Sequence, residues 1–344
     1  MKKLLCKYGS HRVVSPQGSL PQAAQRLDPS LPSEANEIHI AVDTLNIDSA
    51  SFAQIVVEVG EDADRVAQRI TGIVAERGKM QNPVTGSGGM LLGTVVSRGS
   101  GYNTHPEVKE GDRIATLVSL TLTPLHIGRV RAVHMHADQV EIDGHAILPP
   151  SAPITRIPED MDERLALASL DVCGAPAQVA RLVKPGMKIA VIGAGKSGIL
   201  CMAQARESMG DTGKIVGVDL RDTHLTGAKE AGLIDACGTC NAKDPLETMA
   251  VVTELLGGEA DLVINTANVA ETELSSILCA KDSGTVYFFN MATSFARAAL
   301  GAEGVGKDPT LIIGNGYAPG HADLTLALIR KHKFVRQVFE SVLG

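Results

Sequence analysis

Tryptophan is absent and aromatic residues make up 3% of the chain, so stacking platforms for bases or sugars are not available. No apolar run approaches the ~18 residues that a membrane-spanning helix needs. The opening Met1-Lys2-Lys3-Leu4-Leu5-Cys6-Lys7-Tyr8 is basic, but Lys7 breaks it before a secretion-signal core can form. Positive charge is not in excess either. A net charge of -7 with pI near 5.8 argues against nucleic acid or an anionic membrane as partner. Six cysteines in 344 residues suggest free thiols and a reducing, cytoplasmic setting rather than a disulfide framework. Cys237-Gly238-Thr239-Cys240 has the spacing of a redox pair or half a zinc knuckle. With no second pair, and with a surface loop expected there, these cysteines read as incidental.

What is present is an ordinary globular composition, 44% hydrophobic and 21% charged, long enough for two domains. Residues 1–160 read as mostly β. Glu37 to Val42 and Gln139 to Asp143 alternate like half-buried strands, and Gly111-Asp112-Arg113-Ile114 turns into another. Asp62 to Arg77 carries Val66, Ile70, Ile73 and Val74 at helical spacing. The stretch Leu148-Pro149-Pro150-Ser151-Ala152-Pro153 signals a boundary. Residues 161–344 then alternate helix and strand. Strands are expected at Lys188–Ile192, Ile215–Asp219, Ala260–Asn265, Thr285–Phe289 and Thr310–Ile313, with helices at Glu163–Val183 and Ser197–Met209. That order implies an α/β fold with a doubly wound parallel sheet. The last ~15 residues are expected to pack back on the first domain.

The strongest motif is Gly193-Ala194-Gly195-Lys196-Ser197-Gly198, entered by an apolar run and left by a small-residue helix. A second apolar run ends in Asp219, about 20 residues beyond Gly198. Gly193 allows the tight turn, Gly195 lets backbone approach a pyrophosphate, and Gly198 lets helix sit against strand. Lys196 and Ser197 open the helix whose N-terminal N–H groups face the phosphates. Strand, turn, helix, strand and acid in this order imply dinucleotide binding. Asp219 suits the ribose hydroxyls of NAD; Arg221 could admit the 2′-phosphate of NADP, which is the second choice.

A β-rich domain followed by this motif resembles the medium-chain dehydrogenase/reductase superfamily, whose first domain is GroES-like and whose second is a Rossmann domain. Gly88 to Val95 and Gly111-Asp112-Arg113-Ile114 carry the likeness, with Leu170 to Gly198 as linking helix and cofactor turn. Longer strings are more specific. Leu45 to Phe52, Gly78 to Met90, Ile114 to Leu120 and the opening Cys6 to Val14 resemble the L-erythro-3,5-diaminohexanoate dehydrogenase family of anaerobic lysine fermentation.

The resemblance implies oxidative deamination of L-erythro-3,5-diaminohexanoate to 5-amino-3-oxohexanoate, ammonia and NADH. Zinc-dependent superfamily members place Cys, His and Cys around an ion. Carried onto this chain, those positions hold Asp48, Gly89 and Cys173, with Met90 after the second, so no metal is expected. His134 and His136, at strand spacing, read as an exposed strand. An amine needs no Lewis acid for hydride loss, and Asp48 is the candidate base; a turn-capping Asp48 is the other reading at this point. Asn82, Thr85 and Ser87 are candidates for substrate binding, or members of a tight turn. Lys79, Arg77 and Arg12 are candidates for the substrate carboxylate, or surface charges. By the same likeness Thr266 and Asn290 line the nicotinamide side. The apolar run Gly284 to Phe289 would extend the sheet across a two-fold axis in a homodimer or homotetramer. A zinc-independent alcohol or enone reductase, and a non-catalytic dinucleotide sensor, remain as alternatives.

Overall fold

The computed structural model describes residues 5–117 and 119–343. Two compact units divide between Asp171 and Val172, with the chain's end from Val342 belonging to the first.

In the first unit, a ribbon of β1 (Val13–Ser15) and β2 (Arg26–Leu27) precedes a six-stranded antiparallel sheet. Its strands are β3 (Ile38–Ile47), β4 (Gly89–Arg98), β5 (Arg113–Thr116), β6 (Leu125–His134), β7 (Gln139–Leu148) and β8 (Ile154–Arg156), in the order β6-β7-β3-β4-β5-β8. Ile38, Ile40 and Val42 are buried while His39, Ala41 and Asp43 are half-buried, the alternation of a strand with one face on a core. Two helices sit within this β-rich unit, α1 (Ser49–Val59) and α2 (Ala63–Arg77). Helix α2 buries Val66, Ile70, Ile73 and Val74, is capped by Asp62, and ends at Gly78 in the left-handed region. Sequence reading finds α2 but not α1.

Helix α3 (Glu163–Leu170) also belongs to this unit, so the division falls later than the 160/161 boundary suggested by the prolines. Arg113 explains why, since its guanidinium binds both Glu163 oxygens at 2.8 and 2.6 Å and ties the start of α3 to β5. The expected single helix Glu163–Val183 breaks into α3 and α4 (Gly174–Leu182). Pro176 is the cause: it cannot donate to the carbonyl four residues back, but it fits the first turn of a new helix.

The second unit is a six-stranded parallel sheet: β9 (Lys188–Ile192), β10 (Lys214–Asp219), β11 (Ala236–Thr239), β12 (Ala260–Asn265), β13 (Ala280–Phe288) and β14 (Thr310–Ile313). The order β11-β10-β9-β12-β13-β14 is that of the doubly wound dinucleotide-binding fold, with its switch point between β9 and β12. Around it lie α5 (Lys196–Met209), α6 (Leu225–Glu230), α7 (Pro245–Leu256), α8 (Glu273–Cys279), α9 (Phe295–Val305), α10 (His321–Lys331) and α11 (Lys333–Glu340). Of the chain's last segment, α11 packs on α5 in this unit, and only the end from Val342 joins the first. No described helix is long and apolar enough to cross a membrane.

Three expectations change. Cys237 lies in β11, paired with Gly217 of β10, rather than in a surface loop; Cys240 is buried just beyond it, and both are free thiols. His134 ends β6 and binds Glu141 at 2.8 Å, whereas His136 lies in the following turn, so they share no strand face. The run Gly284 to Phe289 is internal, with β12 on one side and β14 on the other.

The start of the first unit is held by a buried ion pair. Arg12 donates to Glu37 at 3.0 and 2.6 Å and to the Ser30 carbonyl at 2.8 Å, and His11 reaches the same carboxylate at 2.7 Å. Burial alone would raise the Glu37 carboxyl. Hydrogen bonds from His11, Arg12 and the Glu34 amide outweigh it and hold it at about 2, against an ordinary 4.5. A depressed carboxyl contributes stability that is complete above pH 4.5 and lost as pH falls towards 2. Glu37→Gln should therefore lower unfolding free energy by about 3 kcal/mol at neutral pH, with the difference from wild type shrinking through that acid window. Equal stability at pH 7 in urea titrations would contradict this.

Candidate active site

The second unit carries the glycine turn at the C-terminal end of β9. Gly193 has φ of +96°, a conformation that favours glycine. At Gly198 a β-carbon would lie 1.9 Å from the Gly193 carbonyl oxygen, so the first turn of α5 can approach β9 only without one. Gly195 is different: a β-carbon there meets nothing within 4 Å, and the residue is exposed. It is the N-cap of α5 and provides no side-chain cap, leaving the helix's first N–H groups without one. Lys196 and Ser197, the first two helical residues, are half-buried.

Asp219, ending β10, fastens the turn. Its Oδ2 accepts from the Ala194 amide at 2.6 Å and its Oδ1 from the Arg221 amide at 3.3 Å. Across the switch point, the Thr266 hydroxyl donates to the Gly193 and Ile192 carbonyls at 3.0 and 3.2 Å. Asn265, which sequence reading passed over as the end of an apolar strand, is fully buried and joins the loops. Its Nδ2 donates to Thr272 and Ser276 hydroxyls at 2.9 and 2.8 Å, and its Oδ1 accepts from Asn290 at 3.4 Å. Asn290 in turn accepts from the Ala292 amide and the Thr293 hydroxyl. Open backbone at Gly195, an uncapped helix start and a carboxylate beside them fit the phosphates and ribose of a dinucleotide.

In the first unit a second cluster forms where α1 begins. Asp48 is the helix cap of the second reading: its Oδ1 accepts from the Ala50 and Ser51 amides at 3.1 and 3.2 Å, while its Oδ2 is buried with no partner. The hydroxyls of Ser51, Thr85 and Ser87 form a triangle with edges of 2.6, 2.7 and 3.0 Å. Ser51 escaped sequence reading because α1 did. Asn82 is fully buried and spent on the loop. Its Nδ2 donates to the Ser51 carbonyl and to Gln54, and its Oδ1 accepts from Val84 and Thr85 amides, so it positions Thr85.

The three cations are committed elsewhere. Arg12 is in the buried pair with Glu37. Lys79 is fully buried, giving its ammonium to the Pro21 and Gln22 carbonyls at 2.7 and 3.3 Å. Burial, with Arg77 nearby, lowers it to about 8. Arg77 binds the Gln81 and Gln25 carbonyls.

The donor set does not fit a zinc ion. At position 89, φ is +118° and a β-carbon would lie 1.9 Å from the Asn46 carbonyl oxygen, so no ligand side chain can stand there. Cys173 is buried at the N-cap of α4. Among the described residues, no three His, Cys, Asp or Glu are grouped to hold a metal.

A family model described as the L-erythro-3,5-diaminohexanoate dehydrogenase N-terminal domain matches residues 11–158. L-erythro-3,5-diaminohexanoate dehydrogenase of Acetoanaerobium sticklandii is 50% identical over 339 residues, covering 98% of each chain. Its counterpart from Fusobacterium nucleatum is 49% identical over 345 residues, also 98% of each. Among solved structures, 2R,3R-butanediol dehydrogenase from Bacillus subtilis superposes with a TM-score of 0.53 at 16% identity, over 92% of this chain and 90% of that one. A zinc-dependent alcohol dehydrogenase from Streptococcus pneumonia gives 0.56 at 17%, over 90% and 84%. At such identities the likeness establishes the fold, that of the medium-chain alcohol dehydrogenases.

The two glycines should separate under substitution. Gly195→Ala should leave stability within about 0.5 kcal/mol of wild type yet weaken dinucleotide binding at least tenfold, because only a ligand meets the new methyl group. Gly198→Ala should destabilise by about 2 kcal/mol or more as the helix is forced off the turn. Thermal unfolding and calorimetric titration check both; Gly195→Ala with unchanged affinity would contradict the placement.

Proposed function

Because the chain belongs to the L-erythro-3,5-diaminohexanoate dehydrogenase family, we propose that it catalyses oxidative deamination of L-erythro-3,5-diaminohexanoate to 5-amino-3-oxohexanoate and ammonia, with NAD reduced to NADH, as a step of lysine fermentation. The observation that carries the mechanism is the unpartnered Asp48 Oδ2. A buried acceptor left unsatisfied costs about 1–3 kcal/mol, and a substrate ammonium is the ligand that would offset that cost.

Asp48 takes a proton from the C3 ammonium, and the neutral amine's lone pair then expels hydride from its own carbon. When bound, NAD supplies the hydride acceptor. The product is an iminium; water adds to its carbon, and protonation of nitrogen releases ammonia and leaves the ketone. Every proton move involves a single carboxylate, held in place by the α1 amides on its other oxygen. Helix α1 directs its positive end at the Asp48 carboxylate. The Ser51, Thr85 and Ser87 hydroxyls are the polar groups beside it that can orient a polar substrate. With position 89 closed to a ligand, this chemistry proceeds without a metal.

Asp219 favours NAD, because a carboxylate at the ribose repels a 2′-phosphate; Arg221 keeps NADP second. We place the enzyme in the cytoplasm, given its six free thiols. A homodimer or homotetramer is supported by β14, an edge strand whose Ile313 is exposed, rather than by the internal β13. Light scattering should then give at least twice the monomer mass, and a monomer would contradict it.

The direct test follows reduced-nicotinamide absorbance with NAD and the diamino acid. Asp48→Asn should lower kcat about 100-fold or more, the range for lost general-base catalysis, with NAD affinity within about twofold. Unchanged turnover would end the assignment of Asp48, and turnover of alcohols but not diamino acids would contradict the amine reading.

A further inference from the structure

Around Asp48 the backbone donors are turned inward. The Ala50 and Ser51 amides that open α1 are given to Asp48 Oδ1, and the Phe52 amide to the Asp48 carbonyl at 2.9 Å. In the loop that meets α1 through Ser51, the Val84 and Thr85 amides go to Asn82 Oδ1 and the Gly86 amide to the Asn82 carbonyl at 2.8 Å. The Ser87 amide donates to the Thr85 hydroxyl at 3.4 Å. An anion seated here would find none of these N–H groups free.

The hydroxyl triangle is closed in the same way. Each of its edges, Ser51–Thr85 at 2.6 Å, Ser51–Ser87 at 2.7 Å and Thr85–Ser87 at 3.0 Å, needs one proton. Each hydroxyl has one proton to give. Three protons fill three edges only if every hydroxyl donates once and accepts once, so the bonds run one way around the ring. No O–H is left to point outward. Each oxygen has two lone pairs; the ring takes one from each, and the Ser87 amide takes the second of Thr85. Ser51 and Ser87 therefore keep one each, strengthened as acceptors because bonds in a chain polarise one another. Ser51 is buried whereas Ser87 is half-buried, so the ring opens outward at Ser87.

Acceptors without donors select a ligand that has donors without acceptors, and an ammonium group has three N–H and no lone pair. Asp48 Oδ2, buried and unpartnered, is one such acceptor. The ring is a second, and the bond from the Ser51 amide to Asp48 sets the two on one turn of α1. Two acceptor centres so placed fit a ligand with two ammonium groups close together. We propose that the ring binds the C5 ammonium of the substrate while Asp48 acts on the C3 ammonium, so that Ser51, Thr85 and Ser87 select a 3,5-diamino acid over a 3-amino acid. This rests on the oxidative deamination proposed above.

The test compares kcat/KM for L-erythro-3,5-diaminohexanoate with that for 3-aminohexanoate of the same C3 configuration, which lacks only the C5 amine. Wild type should favour the diamino acid by about tenfold or more, the effect of a hydrogen bond to a charged group. Ser87→Ala and Thr85→Val each open the ring, and each should lower that ratio about fivefold or more. The loss should appear in KM, because the C5 ammonium does not react. Thr85→Ser keeps the hydroxyl and should hold the ratio within about twofold of wild type. Asp48→Asn should slow both compounds alike, since both carry the C3 ammonium. Equal kcat/KM for the two compounds in wild type overturns the inference, and so does an unchanged ratio in Ser87→Ala and Thr85→Val. Equal weakening of both compounds in those variants overturns it too, marking the ring as a brace of the loop. Wild-type enzyme that turns over neither compound would instead overturn the proposed deamination, and this subsite with it.

Discussion

A helix can begin against a strand end only if nothing projects between them, and here the limiting distance is that from position 198 to the Gly193 carbonyl oxygen. With a β-carbon that gap would be 1.9 Å. Its absence lets α5 start where β9 stops, lets Asp219 reach the Ala194 amide, and lets Thr266 bond the Gly193 carbonyl from across the switch point. The site proposed for a dinucleotide in this unit is therefore mostly backbone geometry. The side chains around it, Asp219 and Thr266 above all, are engaged in holding that geometry as well as available to a ligand.

The first unit repeats the theme in a different form. Gly89, at φ +118° and against the Asn46 carbonyl, leaves no room for a side chain where β4 begins. Two residues beyond Asn46, Asp48 divides its labour between capping α1 and leaving one oxygen unspent. The closed position 89 and the buried carboxylate thus lie beside the same tight meeting of β3 and β4. Amine oxidation is the hydride chemistry that can use this arrangement, because the substrate nitrogen supplies the electron push and needs only a proton acceptor.

Legibility in the sequence follows local signal strength. Strands β9, β12 and β14 are apolar runs bounded by turn residues, and the structure places them where periodicity does. Strand β11, Ala236-Cys237-Gly238-Thr239, carries no such run and exists because β10 offers it an edge. Helix α1 gives a weaker signal, because only Ser51, Phe52 and Ile55 of its 11 residues are buried. Buried charge is the least legible feature. Nothing local distinguishes Arg12, paired with a residue 25 positions away, or Lys79, bonded to carbonyls 57 and 58 positions away, from surface cations. Asn265 likewise shows its bonding only through what surrounds it in space.

The central claim is that a carboxylate, and no divalent ion, faces the reacting amine. Turnover of L-erythro-3,5-diaminohexanoate with NAD, followed after exhaustive chelation and with metal content measured on the same sample, tests it most directly. The account predicts undiminished turnover at far less than one zinc per chain. Activity that disappears with the metal and returns with stoichiometric zinc would contradict it.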